Sequence, residues 1–250
     1  FSRSYLEMNL KHFYDELKQT CLQKNLNFKI IGKTGKKKNV PMYAITLKSN
    51  KKLNTLCICA GIHGDEIAPI FAVLEFLKEI DLRKLKINLI IFPLANPTSF
   101  ETKKRENYLG VDINRHFSDK KLQNENKIIY TCLKKFKIHC ICSLHEDEDE
   151  QEFYLYNFEK KKEKIYREIV SLAKKYCKIK EGEVEGLPNH VCIDGLIINV
   201  EQDGSLEWRL FHEGTPFALC TETPMKKKLK ERIQLNKEIM NKLVEFVSEK

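Results

Sequence analysis

The sequence predicts an α/β protein in which a largely parallel sheet is covered on both faces by helices. Short apolar runs, such as Thr55 to Ala60 and Phe217 to Thr221, read as buried strands. They alternate with longer stretches patterned at helical spacing, the arrangement of strand-crossover-strand units. At 250 residues the chain can bury one sizeable core, and no repeat or low-complexity linker divides it. A single domain over residues 1–250 is therefore expected.

The elements follow in order. Leu6, Leu10, Phe13, Leu17 and Leu22 recur at helical spacing, so residues 5–22 read as an amphipathic helix. Two strand-like runs follow, Phe28 to Ile31 and Pro41 to Leu47, separated by a turn at Gly35 and its lysines. Strand Thr55 to Ala60 ends at Gly61, and Glu66 to Ile80 is a helix. Strand Ile87 to Phe92 stops at Pro93 and Asn96-Pro97. A helix over 119–136 precedes a buried strand, Ile138 to Leu144. A charged helix over 159–178 leads through a glycine-containing irregular stretch to a strand, Leu196 to Val200. Strand Phe217 to Thr221 and a helix over 226–248 complete the pattern.

Composition narrows the function classes. The longest apolar stretch, Ile87 to Ala95, is broken by Asn88 and Pro93 and is too short to cross a bilayer, so no membrane partner is expected. Nine cysteines, most of them in strand-like runs, suit buried thiols in a reducing compartment. No charged-then-apolar leader opens the sequence, and a cytoplasmic protein is expected, with a trimmed leader left open by the start at Phe1. The net charge of +9 comes from scattered lysines; arginine supplies only seven of the 44 basic residues. Nucleic-acid readers concentrate charge and interleave arginine with aromatics, so no nucleic-acid partner is expected.

The chemistry begins at Gly61-Ile-His63-Gly-Asp-Glu66, where a strand gives way to a helix. Ligands collect at the carboxyl ends of strands in open α/β sheets. A His and a Glu three apart at a helix start can turn toward one ion, and a second His would complete a two-His, one-Glu zinc set with a position left open. His145 follows Ile141-Cys-Ser-Leu144 at another strand end. Each residue alone has a plainer reading, as a surface or hydrogen-bonded side chain. Two Cys-Ile-Cys runs, at 57–59 and 140–142, each put both thiols on one strand face. They read as small buried hydrophobes before a second metal site.

Further motifs follow: Asn96-Pro97, Arg105-Glu-Asn107, Gly110-Val-Asp-Ile-Asn-Arg-His-Phe117, Leu144-His145, Gly204-Ser-Leu-Glu-Trp208 and Thr221-Glu222. In this order, from about Ile31-Gly32 to Glu222, the chain resembles the zinc metallocarboxypeptidases related to carboxypeptidase A. The short spacing from Arg105 to Asn114 is more similar to the compact murein-peptide amidases.

The resemblance implies a mixed, mostly parallel sheet of the zinc carboxypeptidase type and one Zn2+ per chain, held by His63, Glu66 and His145. It implies Glu222 as general base, Arg105 as oxyanion donor, and Asn114 with Arg115 as the grip on a substrate carboxylate, where a planar guanidinium can bond both oxygens. Asp112 would accept a proton from His63. Ser205 and Leu206 would line the specificity pocket, with Trp208 packed behind it. The expected substrate is a small peptide or amino-acid conjugate; the oligomeric state is left open.

Two features depart from the family pattern. The family's covering tyrosine has no counterpart in Asn199-Val-Glu-Gln-Asp203, and five acids, Glu146 to Glu150, follow His145. The acidic run reads first as a solvated loop, and second as a contact for a substrate amine. The leading function is a carboxypeptidase or amidase acting on a short peptide with a free carboxylate. The alternative is an N-acyl amino acid deacylase of the aspartoacylase and succinylglutamate-desuccinylase type. It ranks second because such proteins carry a β-rich carboxy-terminal region, whereas the 28 residues after Glu222 read as one helix. A catalytically inactive metal-binding interaction protein ranks third.

Overall fold

The computed structural model describes residues 5–48, 53–159, 163–198 and 202–250. Among them lies one ten-stranded sheet, in the order β1-β2-β4-β3-β5-β10-β6-β9-β8-β7. The strands are β1 (Asn27–Thr34), β2 (Val40–Leu47), β3 (Thr55–Ala60), β4 (Asn88–Phe92), β5 (Cys140–Asp147), β6 (Tyr154–Glu159), β7 (Gly182–Val184), β8 (Leu187–Ile193), β9 (Leu196–Ile197) and β10 (Phe217–Pro224). The central four, β4, β3, β5 and β10, are mutually parallel. The flanks are mainly antiparallel, and β9 runs parallel to β6. The sheet is thus mixed, with its parallel part at the centre.

Helices cover both faces. On one face lie α1 (Leu10–Gln23), α2 (Ile67–Glu79), α5 (Ile165–Ala173) and α7 (Leu229–Ser248). The single turn α3 (Pro97–Phe100) adds Phe100 to this layer. The opposite face carries α4 (Asn124–Leu133) and α6 (Leu206–His212). Every residue of β3 is buried, because the strand has helices above and below it.

Alternation along the central strands divides the core. Leu56, Ile58, Ala60, Cys140, Cys142 and Leu144 pack in the α2/α7 layer, while Cys57, Cys59 and Ile141 pack in the α4/α6 layer. Strands β3 and β5 are neighbours, but their register pairs Cys57 with Ile141 and Ile58 with Cys142. The two cysteine pairs therefore face opposite sides of the sheet and form no four-sulfur site. All nine cysteines are free and buried.

The chain path creates the site. From β3 the chain crosses through α2 to β4 on one side; β5, reached later through α4, lies on the other side of β3. The strand order reverses between β3 and β5, and a crevice opens beyond their carboxyl ends. His63 and His145 stand at that crevice.

Several elements differ from their sequence-based bounds. The helix expected over 159–178 is confined to Ile165–Ala173, and that over 119–136 to Asn124–Leu133. The strand expected over 196–200 is Leu196–Ile197; Asn199 and Val200 lie outside the described residues, as does the Lys160 to Lys162 run. Strand β6, the β7–β8 hairpin and α6 were not anticipated. Among the described residues no helix is long and apolar enough to cross a membrane.

Candidate metal centre and active site

Three of the expected residues converge. His63 stands three residues beyond β3, and Glu66 is the residue capping α2. The Glu66 side chain makes no cap bond and meets both imidazoles instead. Glu66 Oε2 is 2.8 Å from His145 Nδ1, and the Nδ1 atoms of His63 and His145 are 3.2 Å apart. All three side chains are buried, and their ligand atoms lie within 4.8 Å of one another. The approach needs Gly64, where a Cβ would stand 2.1 Å from the Ser99 carbonyl oxygen.

Asp112 organises the next layer. Its Oδ1 lies 3.1 Å from His63 Nε2 and accepts the Asn114 N–H at 2.8 Å. Its Oδ2 takes Arg105 Nε and Nη2, each at 2.9 Å. With Nε2 of a neutral His63 donating to Asp112, Nδ1 presents its lone pair toward Glu66 and His145. Two imidazole nitrogens and a carboxylate aimed at one buried point fit a divalent cation, and zinc takes this donor set.

The charges respond to this crowding. Burial alone would lower His63, but the Glu66 charge and the bonds to Asp112 and Glu66 outweigh it and push His63 up to about 9. Burial would raise Glu66, yet His145 and His63 hold it far below the usual carboxylate range. Asp112 likewise stays ionised against burial, through His63 and Arg105.

Glu222 lies on β10 directly opposite His145 on β5. It is half-buried and lines the cavity above the metal-binding cluster. Burial pushes its carboxyl up to about 8; His145 opposes the shift, while Glu66 and Asp147 add to it. That cavity has a volume of about 390 Å³, and Arg105, Asn114, Arg115 and Ser205 also line it. Arg105 Nη1 comes within 3.9 Å of Glu66 and reaches across the centre. Asn114 is buried and uses its Oδ1 to accept the Leu206 N–H at 3.3 Å.

Two expectations are corrected. Leu206 is fully buried in the core under α6 and does not line the cavity, because the helix beginning there turns it toward the sheet. Ser205 caps that helix, its hydroxyl accepting the Trp208 N–H at 3.2 Å, and it does reach the cavity. The acids after His145 are also not a uniformly solvated loop. Glu146 is buried, paired with Arg232 at 2.6 Å, and accepts the Ala68 N–H at 2.9 Å. Glu150 is buried against Lys180 at 2.6 Å. Asp147 caps the turn after β5 and accepts the Tyr154 hydroxyl at 2.6 Å. Trp208 packs on the α4/α6 layer and stacks on His212.

Sequence reasoning missed Tyr154, Tyr156, His190 and Glu207, all of which line the cavity. Tyr154 and Tyr156 project from β6, where Tyr154 is the register partner of Glu222. The aromatic-rich run Phe153-Tyr-Leu-Tyr-Asn-Phe158 was a legible strand signal.

The molecule is an α/β protein with a His-Glu-His metal-binding cluster at the switch point of its sheet. Its fold is that of the zinc carboxypeptidases. A metallo-carboxypeptidase from Burkholderia cenocepacia superposes with a TM-score of 0.74 at 16% identity, covering 95% of this chain and 68% of that one. A protein from Shewanella amazonensis SB2B, provisionally classed as a metallopeptidase, superposes with a TM-score of 0.83 at 29% identity, covering 95% and 93%. The family model for the succinylglutamate desuccinylase/aspartoacylase catalytic domain matches residues 52–150. A provisionally named aspartoacylase from Trichodesmium erythraeum (strain IMS101) is 37% identical over 83 residues, 32% of this chain. The match spans only 27% of the length of that relative.

Proposed function

We propose that the protein is a zinc-dependent hydrolase that cleaves an amide bond in a small substrate carrying a free carboxylate. The observation that supports this most is the placement of Glu222 beside the His63, Glu66 and His145 cluster, in a cavity that also holds Arg105, Asn114 and Arg115. Zinc bound there would act as a Lewis acid on the scissile carbonyl and make water a better nucleophile near neutral pH. Arg115 and Asn114 bind the substrate carboxylate, and the guanidinium can meet both oxygens. Glu222 takes a proton from the attacking water as oxygen adds to the carbonyl carbon. Arg105 donates to the developing oxyanion. The carbon–nitrogen bond then breaks, and Glu222 returns the proton to the leaving nitrogen.

The leading reading is a metallocarboxypeptidase or murein-peptide amidase, acting on a short peptide. The second reading, an N-acyl amino acid deacylase, is favoured by the succinylglutamate desuccinylase/aspartoacylase match over residues 52–150, the stretch that carries His63, Glu66, Arg105, Asp112, Asn114, Arg115 and His145. Both reactions need the same residues. Mass-spectrometric cleavage of a panel of free-acid peptides, γ-D-glutamyl-diaminopimelate peptides and N-acyl amino acids separates them. Cleavage of the peptides supports the first reading. Cleavage confined to N-acyl amino acids supports the second, and no cleavage by zinc-loaded protein contradicts both.

A further inference from the structure

One group lining the same cavity as the metal-binding cluster has no part in the proposed chemistry. Glu207, in the first turn of α6, is fully buried, and neither carboxylate oxygen has a hydrogen-bond partner among the described residues. A charged oxygen pair removed from water and left unpartnered is strongly disfavoured, so a donor should face it. The surroundings offer few candidates. Cys57 and Cys59, in the α4/α6 layer, and Cys220, the register partner of Ser143, feel the carboxylate's charge, and buried thiols are weak donors.

The exception is His145. Its Nδ1 is directed at Glu66, while its Nε2 is buried and has no hydrogen-bond partner among the described residues. The charge of His145 acts on Glu207, and the Ser143 hydroxyl lies near the carboxylate without completing a hydrogen bond to it. Ser143 and His145 are two residues apart on β5 and therefore share a face of the strand. Helix α6 packs on that face, beside β5 and β10. A buried donor nitrogen and a buried acceptor carboxylate thus stand in one layer, each lacking a partner. On the other side of the cluster, His63 Nε2 already meets a carboxylate of its own, Asp112.

We propose that Glu207 is the positioning residue for His145: its carboxylate accepts the Nε2 proton, directly or through one enclosed water alongside the Ser143 hydroxyl. Both imidazoles would then be held by carboxylates, Asp112 behind His63 and Glu207 behind His145. Accepting that proton keeps it on Nε2, leaves the Nδ1 lone pair for the metal, and makes Nδ1 a stronger donor. The inference rests on the metal-site reading above, and it concerns the assembly of the site, whatever the substrate.

Zinc affinity tests it without a substrate. The dissociation constant is measured at pH 7 by competition with a chromophoric chelator, for the unaltered protein, Glu207→Gln, Glu207→Leu and Asp112→Asn. Glu207→Gln keeps an acceptor but loses the charge, and Glu207→Leu loses both. The expected result is progressive weakening, with the leucine variant losing about 10- to 100-fold, as carboxylates behind metal-binding histidines generally contribute. A carboxylate that were merely tolerated in the core would behave oppositely: both variants would be more stable to urea and bind zinc unchanged. Unchanged zinc affinity in a folded Glu207→Gln overturns the proposal even if Glu207→Leu fails to fold. Absence of zinc binding by the unaltered protein would instead remove the metal-site reading on which it rests.

Discussion

Glu222 and His145 are register partners on the adjacent parallel strands β10 and β5. Partner residues on neighbouring strands point to the same face, so backbone pairing at the centre of the sheet sets the separation of the proposed base and a candidate metal ligand. A site placed on strands is held more rigidly than one carried by loops. Glu222 is not among the clustered metal-binding residues, and its removal should separate chemistry from metal binding. Glu222→Gln is predicted to retain zinc and fold while kcat falls about 10²–10⁴-fold. Steady-state kinetics with metal analysis checks this; a variant that loses zinc and activity together contradicts it.

Protonation of His63 should compete with the metal. In the metal-free protein burial pulls His63 down, but Glu66 and Asp112 outweigh it and leave it at about 9 rather than 6.5. A raised imidazole value means that folding favours the charged ring. That stabilisation is complete below pH 6.5 and is lost as pH rises through 9. The chelated protein is therefore predicted to melt at lower temperature as pH increases across this window, by differential scanning calorimetry. Zinc needs the neutral ring, so the His63 proton alone should make its affinity rise about tenfold per pH unit toward 9.

Glu146 and Arg232 secure the scaffold. Glu146 is adjacent to His145 on β5, and its carboxylate also accepts the Ala68 N–H at the start of α2, the helix that carries Glu66. Arg232 pairs with it at 2.6 Å from α7. Arg232→Ala leaves a buried carboxylate without its cation and should cost about 3–5 kcal/mol, measured by urea unfolding. Arg232→Met combined with Glu146→Gln should recover most of that loss.

Gly204 sets the position of Arg115. Its φ is +77°, and a Cβ there would lie 2.2 Å from the Arg115 carbonyl oxygen. The Gly204 carbonyl also accepts the Phe117 N–H at 2.8 Å, tying the same segment down. Gly204→Ala should displace Arg115, raising KM for a carboxylate substrate more than it lowers kcat, and destabilise the fold by about 1–3 kcal/mol. Equal KM values for the two proteins would show that Arg115 is not held in this way.

The sequence and the structure agree most closely where local pattern and long-range packing ask for the same thing. Strand Thr55–Ala60 is apolar throughout and ends at a glycine, and it is found with its expected bounds. His63 and His145 could be selected because each stands near the carboxyl end of a strand, where a parallel sheet gathers its ligands, and Glu66 because it lies three residues from His63 at a helix start. Leu206 and the buried part of the acidic run, Glu146 and Glu150, were misjudged for a physical reason. Whether Leu206 faces the cavity depends on the rotation of α6, and whether Glu146 is buried depends on Arg232, which lies 86 positions away in the chain. Neither relation has a local signal. Glu207 is a similar case: an acid in a short helix reads as solvated until the helix is seen to pack on the sheet.

The proposed activity is metal-dependent cleavage of an amide in a substrate that Arg115 holds by its carboxylate. The most direct measurement is mass-spectrometric cleavage of matched pairs by the zinc-loaded protein, each substrate supplied as the free acid and as its carboxamide. The prediction is cleavage of the free acid alone, abolished by chelation, restored by zinc and lost in Glu222→Gln. Equal cleavage of the carboxamide, or cleavage that survives chelation, would contradict it.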